Sequence, residues 1–323
     1  MSRAGDLDRL AAAMTREART LAERAGVAAA RVARPYLDRM LDRARSLALG
    51  SPSSGRLVAL RRELRETAGE MAWRLAGAGN RDSWAFPRVV EALRASHRAV
   101  RPVLALVGVE ALPPDVDAVA RALQDLDGTF RAAGREMADA VADELVRMTT
   151  RGADAREVAR RLTASGLIEP LSGMNPVVRA ATIADTEVMR VYRQTVEDRA
   201  ARAPALTHRR MVGPVTASTS RLCRTFVGRV MSIEDWRTAG WRFEGEHGGR
   251  GMHPRCRHGL QPMRPEWLGR SDGDRARTGP FANQVAREHD ADSSLPEITW
   301  DEFKRLPASE RIGRSDRGWR LVA

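Results

Sequence analysis

"GMHPRCRHGLQP", residues 251–262, holds Cys256, one of only two cysteines in a chain of 323 residues, between His253 and His258. Three side chains able to bind a metal fall within six positions, with Pro254 and flanking glycines to turn the backbone. The stretch reads as a metal knuckle, a catalytic centre or a histidine-bearing turn. The other cysteine, Cys223, lies 30 residues before His253. Zinc takes about four N or S ligands in a tetrahedron, and Cys223, His253, Cys256 and His258 would supply them. Such a site would close the loop 224–252 and clip together a small module whose own core is thin. Neither CxxC pair of a standard zinc signature is present, so a polar turn over buried thiols stays open beside the metal reading.

Outward from this stretch, the texture of the chain sorts into two kinds. From about residue 206 to 268, glycines, prolines and short β-branched pieces ("RRMVGPV", "FVGRVMSI", "WRFEGEHGGRG", "RHGLQPM") predict short strands joined by tight turns. Residues 1–150 instead keep helical spacing. Leu7, Leu10, Met14 and Leu21 form one stripe, and Leu37, Met40, Leu41, Ala44 and Leu47 repeat it after Pro35. Leu57, Leu60, Leu64, Ala68, Met71 and Leu75 follow "GSPSSG", and Val116 to Met148 carry a long final stripe after "ALPPD". Asp154 with Glu157 has capping-box spacing, and Asn175 with Pro176 has the form of an N-cap and first helical residue. Thr299 with Glu302 repeats the capping-box spacing in "TWDEFKRLP". The predicted class is α+β: a helical N-terminal region (1–150) for assembly contacts, an α+β module (151–268), and a polar linker with a short C-terminal helix (269–323).

The net charge is +12, and Lys304 is the only lysine among the 54 basic residues. Thirteen arginines against five acids give segment 201–270 a charge of +8. Arginine presents a bidentate fork to phosphate, so Arg209, Arg210, Arg221, Arg224, Arg255 and Arg257 are candidates for sequence-independent DNA contact. A codon bias toward arginine explains the same excess. The longest apolar run, "VLALVGV" at 103–109, is far shorter than the roughly 20 residues of a membrane span, so no membrane is expected. With no secretion signal in the sequence, metal binding or free thiols are expected of the cysteines rather than a disulfide.

In order, "IADTEVMRVYRQ" (183–194), "TSRLCRTFVGRVMSIEDW" (219–236) and "HPRCRHGLQP" (253–262) resemble the phage Mu F-like minor head protein family. That family has an arginine–TE helix, a CxxC turn with a hairpin glycine, and a closing HPxCRC. Thr186 and Glu187 match the TE, with Asp185 where arginine is usual; Cys223 matches the second cysteine and Gly228 the glycine. His253, Pro254, Cys256 and Arg257 match the closing motif, while Ser220 and His258 stand where cysteines would be. The resemblance spans roughly 151–268. It implies a non-enzymatic minor capsid protein of head morphogenesis, located in the virion's capsid interior and in the host cytoplasm during assembly. The partners it implies are the portal protein, with scaffold or major capsid protein, and packaged DNA during packaging or ejection.

Two enzyme readings compete. "STS" (218–220) with "EGE" (244–246) echoes an ADP-ribosyltransferase, with Glu246 catalytic and Arg209 or Arg210 anchoring its substrate. A metal-dependent nuclease would use His247 or His253 as a base beside the metal. It would also need acidic or open metal positions, which the spacing does not assemble.

Overall fold

The structure is a computed structural model that describes residues 3–49, 53–77, 79–114, 116–151, 153, 157, 176–216, 218–243, 249, 251–253, 255–268, 294–307 and 319–322. Four long helices occupy the N-terminal part: α1 (Arg3–Leu49), α2 (Ser54–Ala76), α3 (Ala85–Ala105) and α4 (Val116–Thr150). α1 runs unbroken through Pro35. α2 begins where Ser53 accepts a hydrogen bond from the Arg56 amide, inside the polar stretch that breaks the stripe in sequence. The helix α5 (Pro176–Ala200) starts at the expected proline; Asn175 and Asp154, the two expected cap residues, lie outside the described residues. The chain is therefore mainly helical at its N-terminus, followed by a small α+β part.

By internal contacts the chain forms two compact units that do not follow chain order. One comprises Arg24–Val90 and Asp115–Asp185. There α2 and α4 pack along each other, with Leu60, Leu64, Ala68, Met71 and Leu75 buried on one and Leu123, Leu126, Phe130, Val141 and Leu145 on the other. Gly134 lets the backbones close up, because a Cβ there would come within 3.2 Å of the Ala68 Cβ. The α4 stripe starts later than its sequence suggests, since Val116 is exposed.

The other unit comprises Met1–Glu23, Glu91–Pro114 and Thr186–Ala323. Its sheet has three antiparallel strands in the order β2 (Val230–Ser232), β1 (His208–Val212), β3 (Gly259–Met263). Pro262 is tolerated because β3 is an edge strand. Two short helices, α6 (Arg221–Phe226) and α7 (Ile233–Thr238), flank β2. A parallel pair, β4 (Glu297–Thr299) and β5 (Arg320–Val322), brings in α8 (Trp300–Arg305), whose Thr299–Glu302 capping box forms as expected.

The module's core is not thin. Phe226, Trp236, Trp241 and Phe303 are buried and meet in tilted or edge-on ring contacts of 5.5–6.0 Å, with Trp300 stacked on Phe303. Each such ring buries a large apolar area, so packing alone stabilises the module substantially. The aromatic content of the whole chain, 5%, concealed this concentration. No described helix is long and apolar enough to cross a membrane.

Candidate metal centre

The site begins at a helix cap. Ser220 caps α6, its hydroxyl accepting from the Cys223 amide at 3.2 Å, which puts Cys223 on the helix's first turn with its thiol buried. Thirty residues on, the loop before β3 returns His253 and Cys256 to the same place. His253 Nε2 lies 3.0 Å from both the Cys223 sulfur and the Ser220 hydroxyl. The two sulfurs are 3.8 Å apart, far beyond a disulfide bond, and both cysteines are free. Two Zn–S bonds at a tetrahedral angle would also separate their sulfurs by ~3.8 Å. Cys223, His253 and Cys256 thus form a group that can hold a metal ion, their donor atoms all within 4.8 Å of one another.

His258 is a correction to the four-ligand set. Its Nδ1 approaches the Cys256 sulfur at 3.7 Å, but it does not join the mutually close group. The reason lies in the sheet. Gly259 pairs with Val212, and the His258 ring lies so close over Gly213 that a Cβ there would sit 2.4 Å from its Cδ2. That packing fixes the buried imidazole beside the group.

What holds the loop is Arg193, on α5, which spacing and charge gave no reason to single out. Its guanidinium is buried and donates to the carbonyls of His258 (2.6 Å), Gly249 (3.1 Å) and Cys256. Thr186, from the TE pair, accepts the Arg255 amide at 3.0 Å, bracing the only described non-glycine residue with positive φ (60°). Its neighbour Glu187 is buried and paired with Arg190 at 2.6 Å. Gly228 takes φ 83° and donates its amide to Met211, as a tight turn into β2 requires. Pro254 lies outside the described residues.

The electrostatics favour thiolate character at Cys256. The Cys223 thiol hydrogen-bonds to it and holds it well below the usual thiol range, with His258 and Arg193 adding to the effect. Cys223 is correspondingly pushed up, first by that hydrogen bond to Cys256 and then by burial.

The arginines expected at DNA do not act together. Arg209 is buried, paired with Glu197 at 2.8 Å, and bonded to the carbonyls of Leu206 and His208. Arg210 is equally buried, reaching Asp8, Gln261 and the Leu7 carbonyl. Neither presents a face to phosphate, so both leave the DNA-contact set and are structural cations instead. They also cannot anchor an ADP-ribosyltransferase substrate; Glu244, Glu246 and His247 lie outside the described residues. Arg224 donates to the carbonyls of Thr216 and Thr219 and holds the turn before α6. Arg221 and Arg255 are exposed, and Arg257 is half-buried.

No family model, curated protein or solved structure matches the chain.

Proposed function

We propose that this protein is a non-enzymatic minor head protein of a tailed phage or phage-derived particle, in which Cys223, His253 and Cys256 hold a structural zinc ion. The supporting observation is convergence. Sequence pieces that resemble the Mu F-like pattern lie up to about seventy residues apart, yet Thr186 touches Arg255 and Cys223 meets His253 and Cys256. Two sulfurs and an imidazole suit zinc over the harder divalent cations, and among the described residues no carboxylate joins the group. The zinc would brace a loop that Arg193 already holds. On this reading the protein sits in the capsid interior and joins the procapsid through the portal protein, with scaffold or major capsid protein as further neighbours. Exposed arginines such as Arg221 would touch packaged DNA through phosphates, without reading sequence.

The test pairs two measurements. Elemental analysis of purified protein is expected to give about one zinc per chain, lost in Cys256→Ser. Co-expression with the portal protein of the same particle is expected to yield a complex that survives affinity capture. Zinc-free protein refutes the metal assignment, and no capture at micromolar concentration refutes the portal assignment.

A further inference from the structure

Between α2 and α3 the chain turns on Asn80. Its buried side chain donates to the Trp73 carbonyl at 3.2 Å and accepts the Asp82 amide at 3.1 Å. The Trp84 amide then donates to the Arg74 carbonyl at 3.0 Å, and the Ser83 hydroxyl accepts the Phe86 amide at 3.3 Å, which starts α3. These bonds set Arg74, Arg81, Trp84 and Arg88 beside Arg31 and Tyr36 of α1, around a cavity of about 690 Å³. That volume is within the range of small-ligand sites.

Other arginines of the same unit find acids: Arg39 pairs with Glu70, Arg61 with Asp143 and Arg65 with Asp139. Around the cavity, Arg31, Arg74 and Arg81 are exposed, and none has an ion pair or a side-chain hydrogen bond among the described residues. Arg88 lies 5.6 Å from the Trp84 ring and donates to the Trp84 carbonyl at 3.3 Å. Asp82 is the single carboxylate of the lining, so four guanidinium groups stand against one acid. The indole N–H of Trp84 is buried without a hydrogen-bond partner among the described residues, which adds a further donor lacking an acceptor. Trp73 is 46% exposed, and the Arg74 guanidinium lies 5.7 Å from its ring. Arg74 therefore belongs both to the cavity wall and to a large aromatic face that stands in water.

We infer that this surface binds a single-stranded nucleic acid, whose phosphates pair with Arg31, Arg74 and Arg81 and one of whose bases stacks on Trp73. Guanidinium forks suit phosphate oxygens, and their charge alone would serve any polyanion. The exposed indole makes the selection. Every unpaired base has a flat face to lay on it, whereas a duplex keeps those faces within its own stack. An acidic peptide satisfies the arginines and leaves Trp73 uncovered. The surface lies within residues 24–90, outside the segment 201–270 that carries the charge excess of the sequence. It depends on neither the zinc nor the portal assignment. DNA and RNA strands share this chemistry, and the probes must separate them.

Full-length protein would be titrated against end-labelled DNA and RNA single strands of about 12 nucleotides, and against a DNA duplex of the same length, with anisotropy as the readout. At about 0.15 M salt the single strands are expected to bind at least about tenfold tighter than the duplex. The tighter of the DNA and RNA forms identifies the source. Trp73→Ala should weaken single-strand binding about tenfold with the salt slope unchanged, and Trp73→Phe should keep most of it. Arg74→Gln with Arg81→Gln should weaken it at least about tenfold and lower the salt slope by about 1.4, the share of two phosphate contacts. All three positions are exposed, so circular dichroism and the urea midpoint should stay those of the parent. Arg221→Gln with Arg255→Gln, in the other unit, should leave single-strand binding unchanged. Equal binding of the duplex, full competition by polyglutamate at equal charge, no effect of Trp73→Ala or of the Arg74 and Arg81 pair, or a matching loss in the Arg221 and Arg255 variant would each overturn the inference.

Discussion

Replacing Arg193 by methionine removes one guanidinium while nearly filling its space. Three carbonyls, of Gly249, Cys256 and His258, then lose a charged donor in the buried interior. A buried acceptor left unsatisfied costs roughly 1–3 kcal/mol. Three such losses are not additive, and removing a buried cation recovers part of its desolvation, so the net expectation is about 3 kcal/mol. Urea unfolding followed by tryptophan fluorescence suits the measurement, because Trp236 and Trp241 lie in the same core and Arg193 itself stands 5.9 Å from the Trp241 ring. Arg9→Met, in the same unit but on an exposed i,i+3 pair with Asp6, is the control and should move stability by less than about 0.5 kcal/mol. If Arg193→Met unfolds within about 0.5 kcal/mol of the parent, Arg193 does not hold the loop and the reasoning fails.

Gly213→Ala places a Cβ 2.4 Å from the His258 ring and 2.8 Å from its Cα and should destabilise by about 1–3 kcal/mol, read as a lowered urea midpoint; an unchanged midpoint refutes the close packing of His258 on Gly213. A fragment beginning at residue 151 lacks Asp8 and Leu7, leaving the buried Arg210 without its anion at a cost on the order of 2 kcal/mol once the exposure of Asp8 is discounted. Poor amide dispersion in its NMR spectrum is expected, and a well-dispersed spectrum refutes it. The pKa of His97 is lowered, first by burial and then by Arg199 and Arg101. The unfolded chain therefore takes up a proton more readily. The stability that depends on neutral His97 is fully present above the unfolded value of ~6.5 and is lost progressively as pH falls from there through the lower folded value. Unfolding free energy should fall less steeply from pH 7 to 5 in His97→Asn than in the parent, and equal slopes count against it.

Much of the fold was legible because it rests on local rules. Stripes such as Leu60–Leu64–Ala68–Met71–Leu75 and the Thr299–Glu302 box depend only on helical spacing and cap chemistry. Three of the four expected metal donors came together because cysteine and histidine have few reasons to recur at that spacing. His258 did not, since its position follows from strand register against Gly213, a relation between residues 45 apart. Arginine misled twice. On sequence, Arg209 and Arg210 are charges and charges read as surface, yet each found an acidic or carbonyl partner in the interior. Arg193 was missed for the same reason from the other side: nothing in a helical "VYRQ" distinguishes a guanidinium that faces solvent from one that faces three carbonyls.

The pairing of the first residues with the last part of the chain has a consequence for synthesis. The Leu7 carbonyl waits for Arg210, 203 residues later, and for Gln261, 254 residues later. At about 5–20 residues per second, the start of α1 is out of the ribosome for roughly 10–50 s before its partners are made. Throughout that interval the start of α1, where Leu7 and Met14 are buried in the finished unit, lacks its bonds to β1 and β3. The nascent chain therefore passes through a long aggregation-prone window, and its yield should depend on holdase chaperones and translation speed more than its final stability suggests.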